Sequence, residues 1–196
     1  MRKVIAAVLT AAALAGLAGC ESNAVPNASP VLRVQADASR ERSYGLTREG
    51  VVIQAAGVRT VVALPGWLWV AAPHCPPDLA VGPKGEVVIT SNVVSTLWRI
   101  DPQTLAVTVH PLSLDSDSDK DVGFAAIVYS TEQTAFVAYS EVQRSVWKID
   151  PQLKTAQKIA DSDLNRSRQA QRSSAARGAP CGELAWRLLA LAPGNG

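Results

Sequence analysis

Trp98-Arg99-Ile100-Asp101-Pro102-Gln103 and Trp147-Lys148-Ile149-Asp150-Pro151-Gln152 are one hexapeptide written twice, at an offset of 49 residues. Five of the six positions are identical, and the sixth exchanges one cation for another. At the same offset Val88 falls on Val137, Ser91 on Ser140 and Val93 on Val142. Matches at one fixed offset that include two tryptophans mark an internal repeat. In an extended chain successive side chains point to opposite faces, so Trp98 and Ile100 share one face and Leu97 and Arg99 the other. Asp-Pro then ends the strand. Proline cannot donate to a ladder and fixes φ, and aspartate accepts hydrogen bonds from the turn that follows. Trp98, Ile100, Trp147 and Ile149 are therefore the expected core of the repeat.

Working outward, each unit divides into four short β-branched runs separated by turn residues. In the first unit they fall at 78–82, 86–91, 95–100 and 105–110, with Gly82-Pro83-Lys84-Gly85 as a turn. In the second they fall at 123–129, 134–140, 144–149 and 154–160, where Thr131-Glu132-Gln133 replaces that glycine-rich turn. Helix signals are scarce over this span, so the fold class is all-β with four-stranded antiparallel units. Such a unit resembles a β-propeller blade of the NHL, YVTN or gluconolactonase-like type. The resemblance covers about residues 77–160 and implies two complete blades with partial ones beside them. Val51–Gln54 and Thr60–Leu64 read as third and fourth strands of a partial blade ahead of the first unit. Leu184–Leu191 follows Cys181 much as Leu79–Val81 follows Cys75, so strands from both termini are expected to complete one shared blade. Leu184, Leu188 and Leu191 also fall on one helical face. Propellers have four to eight blades. About three imply either two chains closing one six-bladed ring as a homodimer, or a curled sheet that stays open.

The N-terminus carries a different signal. Arg2 and Lys3 precede an apolar run from Val4 to Ala15, too short to span a bilayer but of the length of a secretory h-region. It ends in Leu17-Ala18-Gly19-Cys20, which resembles the lipobox of bacterial lipoproteins. That resemblance implies a signal peptide over 1–19, cleavage before Cys20 and lipidation of the Cys20 thiol, including N-palmitate. It further implies an envelope location, with Glu21 favouring the outer membrane, facing the periplasm, over the inner membrane. Two or more acyl chains give stable anchoring, each buried CH₂ contributing about 0.8 kcal/mol. Residues 20–45 read as lipidated cysteine and flexible tether, because 21–31 is a Ser/Asn/Pro/Ala stretch without hydrophobic period. Residues 32–48 add Arg33, Asp37, Arg40, Glu41, Arg42 and Arg48 with little pattern. Order is thus expected near Gly50, with a β-domain over 46–196 and a loop insertion over 161–180, rich in Arg, Ser, Gln and Ala.

Composition narrows the function. The whole chain carries a net charge of +2, and loss of Arg2 and Lys3 with the leader brings it to neutrality. No strong field remains to attract nucleic acid. With Cys20 consumed by lipid, Cys75 and Cys181 form an even pair in an oxidising compartment. A disulfide between them would close a loop of about 105 residues and stabilise the fold by roughly 4–5 kcal/mol; two buried thiols are the alternative.

Candidate chemistry is sparse. Asp115, Asp117, Asp119 and Asp121 alternate like the start of a calcium loop, but Lys120 occupies the sixth position, where such loops have glycine, and Ala126 stands at the twelfth. A solvated acidic loop is the plainer reading, with calcium the alternative and no other cofactor implied. His74 lies beside Cys75 in a proline-rich turn without a third metal ligand at metal spacing, and His110 reads as a strand-end residue. Trp67 and Trp69, two apart, point to one face and read as sheet packing or as a ligand face. No phosphate loop, nucleophile elbow or dinucleotide fingerprint is present. The leading expectation is a non-enzymatic envelope lipoprotein presenting a β-repeat surface to a protein or envelope partner. A propeller-type metal-dependent hydrolase or lactonase and a glycan-binding module are the alternatives.

Overall fold

The computed structural model describes residues 30–71, 75–115 and 122–161. They form three antiparallel sheets that follow one another along the chain. The first holds β1 (Arg33–Asp37), β2 (Arg42–Thr47), β3 (Gly50–Ala55) and β4 (Val58–Ala63). The second holds β5 (Leu79–Val81), β6 (Val87–Ile89), β7 (Thr96–Ile100) and β8 (Val107–Pro111). The third holds β10 (Ala126–Ser130), β11 (Ala135–Ser140), β12 (Ser145–Ile149) and β13 (Thr155–Asp161). β9 (Ser113–Leu114), on the connection from the second sheet, pairs parallel with β13 and closes the outer edge of the third. Each sheet is an up-and-down meander, and β5 lies between β1 and β10. The protein is thus all-β, with four-stranded blades arranged as in a β-propeller.

The strand periodicity explains the stacking. Trp98 and Ile100 join Tyr44, Leu46, Val51 and Ile53 of the first sheet in one buried cluster. Leu97 and Val88, on the opposite face, join Phe136, Trp147 and Ile149 of the third sheet in another. The middle sheet is therefore buried on both faces. In both copies of the repeat the Trp-x-Ile face looks back at the preceding blade. Phe124 meets Trp147 edge-on, with ring centroids 6.2 Å apart.

Two expectations are corrected. Residues 33–45, read as tether, form β1 and most of β2. Among the described residues the first sheet consequently holds four strands, all within 33–63. The strands were obscured because their charges look unpatterned while each has a local use. Tyr44 and Leu46 are buried on one face, Arg33 pairs with Asp78 at 3.0 Å, and Arg40 pairs with Asp37 at 2.9 Å. Glu41, at φ 50°, turns the chain between β1 and β2.

The Asp-Pro turns behave as read. Asp101 Oδ1 accepts from the backbone N–H groups of Gln103 and Thr104 at 2.9 and 2.8 Å. Asp150 accepts from those of Gln152, Lys154 and Thr155. The proline carbonyls serve as well, Arg42 of the first blade donating to Pro102 O and Arg99 of the second to Pro151 O. Successive blades are thus tied through the same turn.

Candidate functional site

In a four-stranded meander the last strand ends where the first began. β4 therefore delivers the chain to the end of the stack from which β1 and β5 set out, and residues 64–71 and 75–78 lie at that end. Two features meet there, a buried carboxylate and an aromatic strap.

Asp78 precedes β5 and is 6% exposed. Its Oδ1 accepts from Arg33 Nε at 3.0 Å and from its neighbour's amide, Leu79 N, at 2.9 Å. Its Oδ2 accepts from Ile127 N in the third sheet at 3.2 Å. Its own N–H donates to Thr90 Oγ1 at 2.9 Å. One carboxylate therefore holds the innermost strands of all three blades in register. Burial pushes its pKa up, and the Arg33 charge and the two backbone N–H groups pull against that rise.

The strap is residues 67–70. Trp67 and Trp69 stack, with centroids 5.7 Å apart and planes at 27°, and the Arg48 guanidinium carbon lies 5.7 Å from the Trp69 ring centroid. Trp67 Nε1 donates to Thr90 O at 3.0 Å, which fixes the inner ring. The backbone is fastened to the loop after β6. Ser91 Oγ donates to Leu68 O at 2.5 Å, Val70 N donates to Asn92 Oδ1 at 3.0 Å, and Asn92 Nδ2 returns a bond to Val70 O at 2.9 Å. The same Nδ2 reaches Cys75 O at 3.1 Å. Leu68 and Val70 are left 60% and 52% exposed. Fixed backbone, stacked indoles, a cation and two exposed apolar side chains suit contact with a peptide or with the apolar face of a sugar ring. Trp67 and Trp69 do share a face, as the spacing implies, although no strand carries them.

The remaining candidates disperse. Trp98, Ile100, Trp147 and Ile149 are core residues. His110 lies on β8, its Nε2 2.9 Å from Thr108 Oγ1; burial and the Arg99 charge lower its pKa against the opposing pull of Asp150. Asp115 Oδ2 accepts from Lys158 N at 3.1 Å, while Asp117, Asp119 and Asp121 lie outside the described residues. Among the described residues no group of three or more His, Cys, Asp or Glu side chains is placed to hold a metal ion. Cys75 is nearly buried beside Ala125. Cys20, His74, Cys181, the 161–180 insertion beyond Asp161 and Leu184–Leu191 lie outside the described residues. Asp78 and Asn92 were not singled out by the sequence, Arg33 figured there only among the unpatterned charges of 32–48, and Ser91 only through its match to Ser140.

No protein-family model matches the chain, and no curated protein does. Solved structures of related shape do. A streptogramin B lyase superposes with a TM-score of 0.49 at 14% identity, covering 66% of this chain and 40% of its own. A structural-genomics protein of unknown function from Bacteroides thetaiotaomicron gives 0.48 at 14% identity, covering 67% and 34%. The glutaminyl cyclase of Myxococcus xanthus gives 0.46 at 20% identity, covering 68% and 55%. The chain thus spans less than two thirds of the length of each.

Proposed function

We propose that this protein is a bacterial envelope lipoprotein, anchored through acyl chains on Cys20, whose propeller-like body offers the Trp67–Val70 strap to a protein partner. The observation that carries the anchor is Leu17-Ala18-Gly19-Cys20 at the end of a short apolar run headed by Arg2 and Lys3. The surface role is supported by the strap, in which rigid backbone holds Leu68 and Val70 out to solvent. An outer-membrane position facing the periplasm follows from Glu21, and an oxidising compartment makes a Cys75–Cys181 disulfide part of the same reading.

Mass spectrometry of the protein isolated from its native membrane tests the anchor. The expected N-terminus is acylated Cys20, and Cys20→Ser moves the protein out of the membrane fraction. An intact leader, or an unmodified thiol at position 20, removes the proposal. A non-reducing peptide map is expected to join the peptides of Cys75 and Cys181. For the surface, affinity isolation with Leu68→Asp is expected to lose a partner that Val109→Asp, altered at an exposed β8 position, retains. Equal recovery by both variants defeats the strap assignment.

A glycan-binding reading is favoured by one observation, the stacked indole pair with Arg48 beside it. It predicts that envelope oligosaccharides quench tryptophan fluorescence and that Trp69→Ala loses the effect.

A further inference from the structure

The outer strands of the three sheets treat their free edges differently. β13 is covered by β9 and carries a register shift at Ile159. β8 ends in Pro111, which has no N–H to offer a further strand. β4 has none of these guards. It is six residues long, Val58-Arg59-Thr60-Val61-Val62-Ala63, contains no proline and pairs with β3 without a register shift. Among the described residues no strand lies on its outer side. Val58 and Val61 are 64% and 53% exposed, and Arg59 and Thr60 are exposed as well. Such an edge presents a row of unpaired N–H and C=O groups, a template for another strand. In the third sheet the chain itself uses the template, where Ser113 and Leu114 add to the outer edge of β13.

A cavity adjoins the open edge. It has a volume of about 180 Å³ and lies between the first sheet and the turn that links β7 to β8. Ile53, Ala55, Val58 and Leu105 give it apolar walls, and Arg42 and Thr60 complete them. Val58 and Thr60 belong to β4 and pair with Ala55 and Ile53, so all four share the face turned toward the second sheet. Arg42 is held in place by its bond to Pro102 O. An apolar cavity of about 150 Å³ accepts a benzene-sized molecule, so this one has room for one aliphatic side chain. On the opposite face of β4, Arg59 is the strand's one charge.

We infer that β4 is a docking edge for an extended segment of a partner protein in which apolar residues alternate with acidic ones. Backbone hydrogen bonds to β4 supply the attachment, and alternate side chains supply the selectivity. Side chains of an added strand point by turns to the two faces of the sheet. On one face an aliphatic residue enters the cavity beside Val58 and Thr60. On the other a carboxylate stands opposite Arg59, a favourable cross-strand pair. This surface is separate from the strap. Val58 opens β4, and the chain leaves for the strap from the strand's other end.

The probe is a synthetic heptapeptide alternating valine and glutamate, blocked at both ends and labelled with fluorescein, titrated onto the full chain in detergent. The expected result is saturable binding by fluorescence anisotropy, with hydrogen exchange slowed over 58–63. The same peptide with every amide N-methylated cannot donate to the edge, and its affinity is expected to fall by roughly tenfold or more. Val58→Asp, a charge set on an exposed strand position at the cavity, is expected to abolish binding. Leu68→Asp is expected to leave it unchanged, so failure here and failure of the strap assignment are told apart. No saturable binding, equal binding of the methylated peptide, or unchanged exchange over 58–63 overturns the inference. Protection of 58–63 that rises with protein concentration in the absence of peptide makes a second copy the occupant, and overturns it too.

Discussion

Asp78 makes one carboxylate answer to three sheets, and its energetics follow from that position. Removing a partner from a buried, hydrogen-bonded ion pair leaves the other group uncompensated, which costs about 3–5 kcal/mol. Arg33→Ala is expected to fall near the lower end, because Arg33 is partly solvated, and denaturant melts will show it. The pH dependence has an unusual sign for an aspartate. Its pKa is raised in the fold, so its favourable contribution is complete below the unfolded value and is lost as pH rises through the folded one. An Asp78→Asn variant should therefore gain on the wild type as pH rises from about 4 toward neutrality, even if it is less stable throughout. Asp150 behaves oppositely. Burial works against its charge, but hydrogen bonds from Thr155, Lys154 and Gln152 hold its pKa below the usual value. Its contribution is present above the unfolded value and disappears as pH falls through the folded one. Asp150→Ala should flatten the acid limb of a pH–stability curve, read by the same melts.

At the scale of the element, the third strand of each blade sets the stack. Trp98 is 2% exposed, between two sheets. Its truncation to alanine is expected to cost about 3–5 kcal/mol, measurable as a lowered midpoint with unchanged slope. Gly50 holds a second constraint. It sits at φ 139°, and a Cβ there would collide with the carbonyl oxygen of Val62 on β4. Gly50→Val should disrupt the β3–β4 pairing and destabilise the first blade by more than about 1 kcal/mol. β7 and β12 were legible in the sequence because repetition made their alternation visible against noise. β3 and β4 were legible as valine runs. β1 and β2 were not, because only Tyr44 and Leu46 announce a buried face, and the charges around them follow no strand period, Arg40 pairing with Asp37 beside it and Arg33 with Asp78 far along the chain. The same reason hid the site. Asp78 lies 45 residues from Arg33 and 49 from Ile127, and no local pattern reports such pairings.

At the scale of the molecule, the three blades of the described residues form two apolar seams, one on each face of the middle sheet. Each face of the middle sheet depends on one neighbour for its cover. Deleting 30–63 would expose Leu79, Val87, Ile89 and Trp98 together, so the remainder is expected to lose its cooperative thermal transition in calorimetry. Among the described residues, the outer face of the first blade leaves Val34 and Val61 exposed as apolar surface for self-association. Any dimer of residues 21–196 seen by sedimentation at rising concentration should then disappear with Val61→Arg. The number of blades was nearly readable from the sequence, since the repeat supplied two and the valine runs supplied most of a third.

The small parallel pairing of β9 with β13 has a mechanical consequence. Ser113 N donates to Lys154 O at 2.8 Å and Asp115 N to Ala156 O at 3.2 Å. The connector leaving the second blade is thereby stitched over β13, like a buckle over a strap end. A force drawing the chain outward beyond Asp161 cannot unzip β13 from β12 one rung at a time without also shearing this second row. A force applied from the N-terminal side meets β1 first, where the Arg33 contact is the opening link to give way. A body tethered at its beginning and gripped elsewhere would yield at its first blade while its last remained whole.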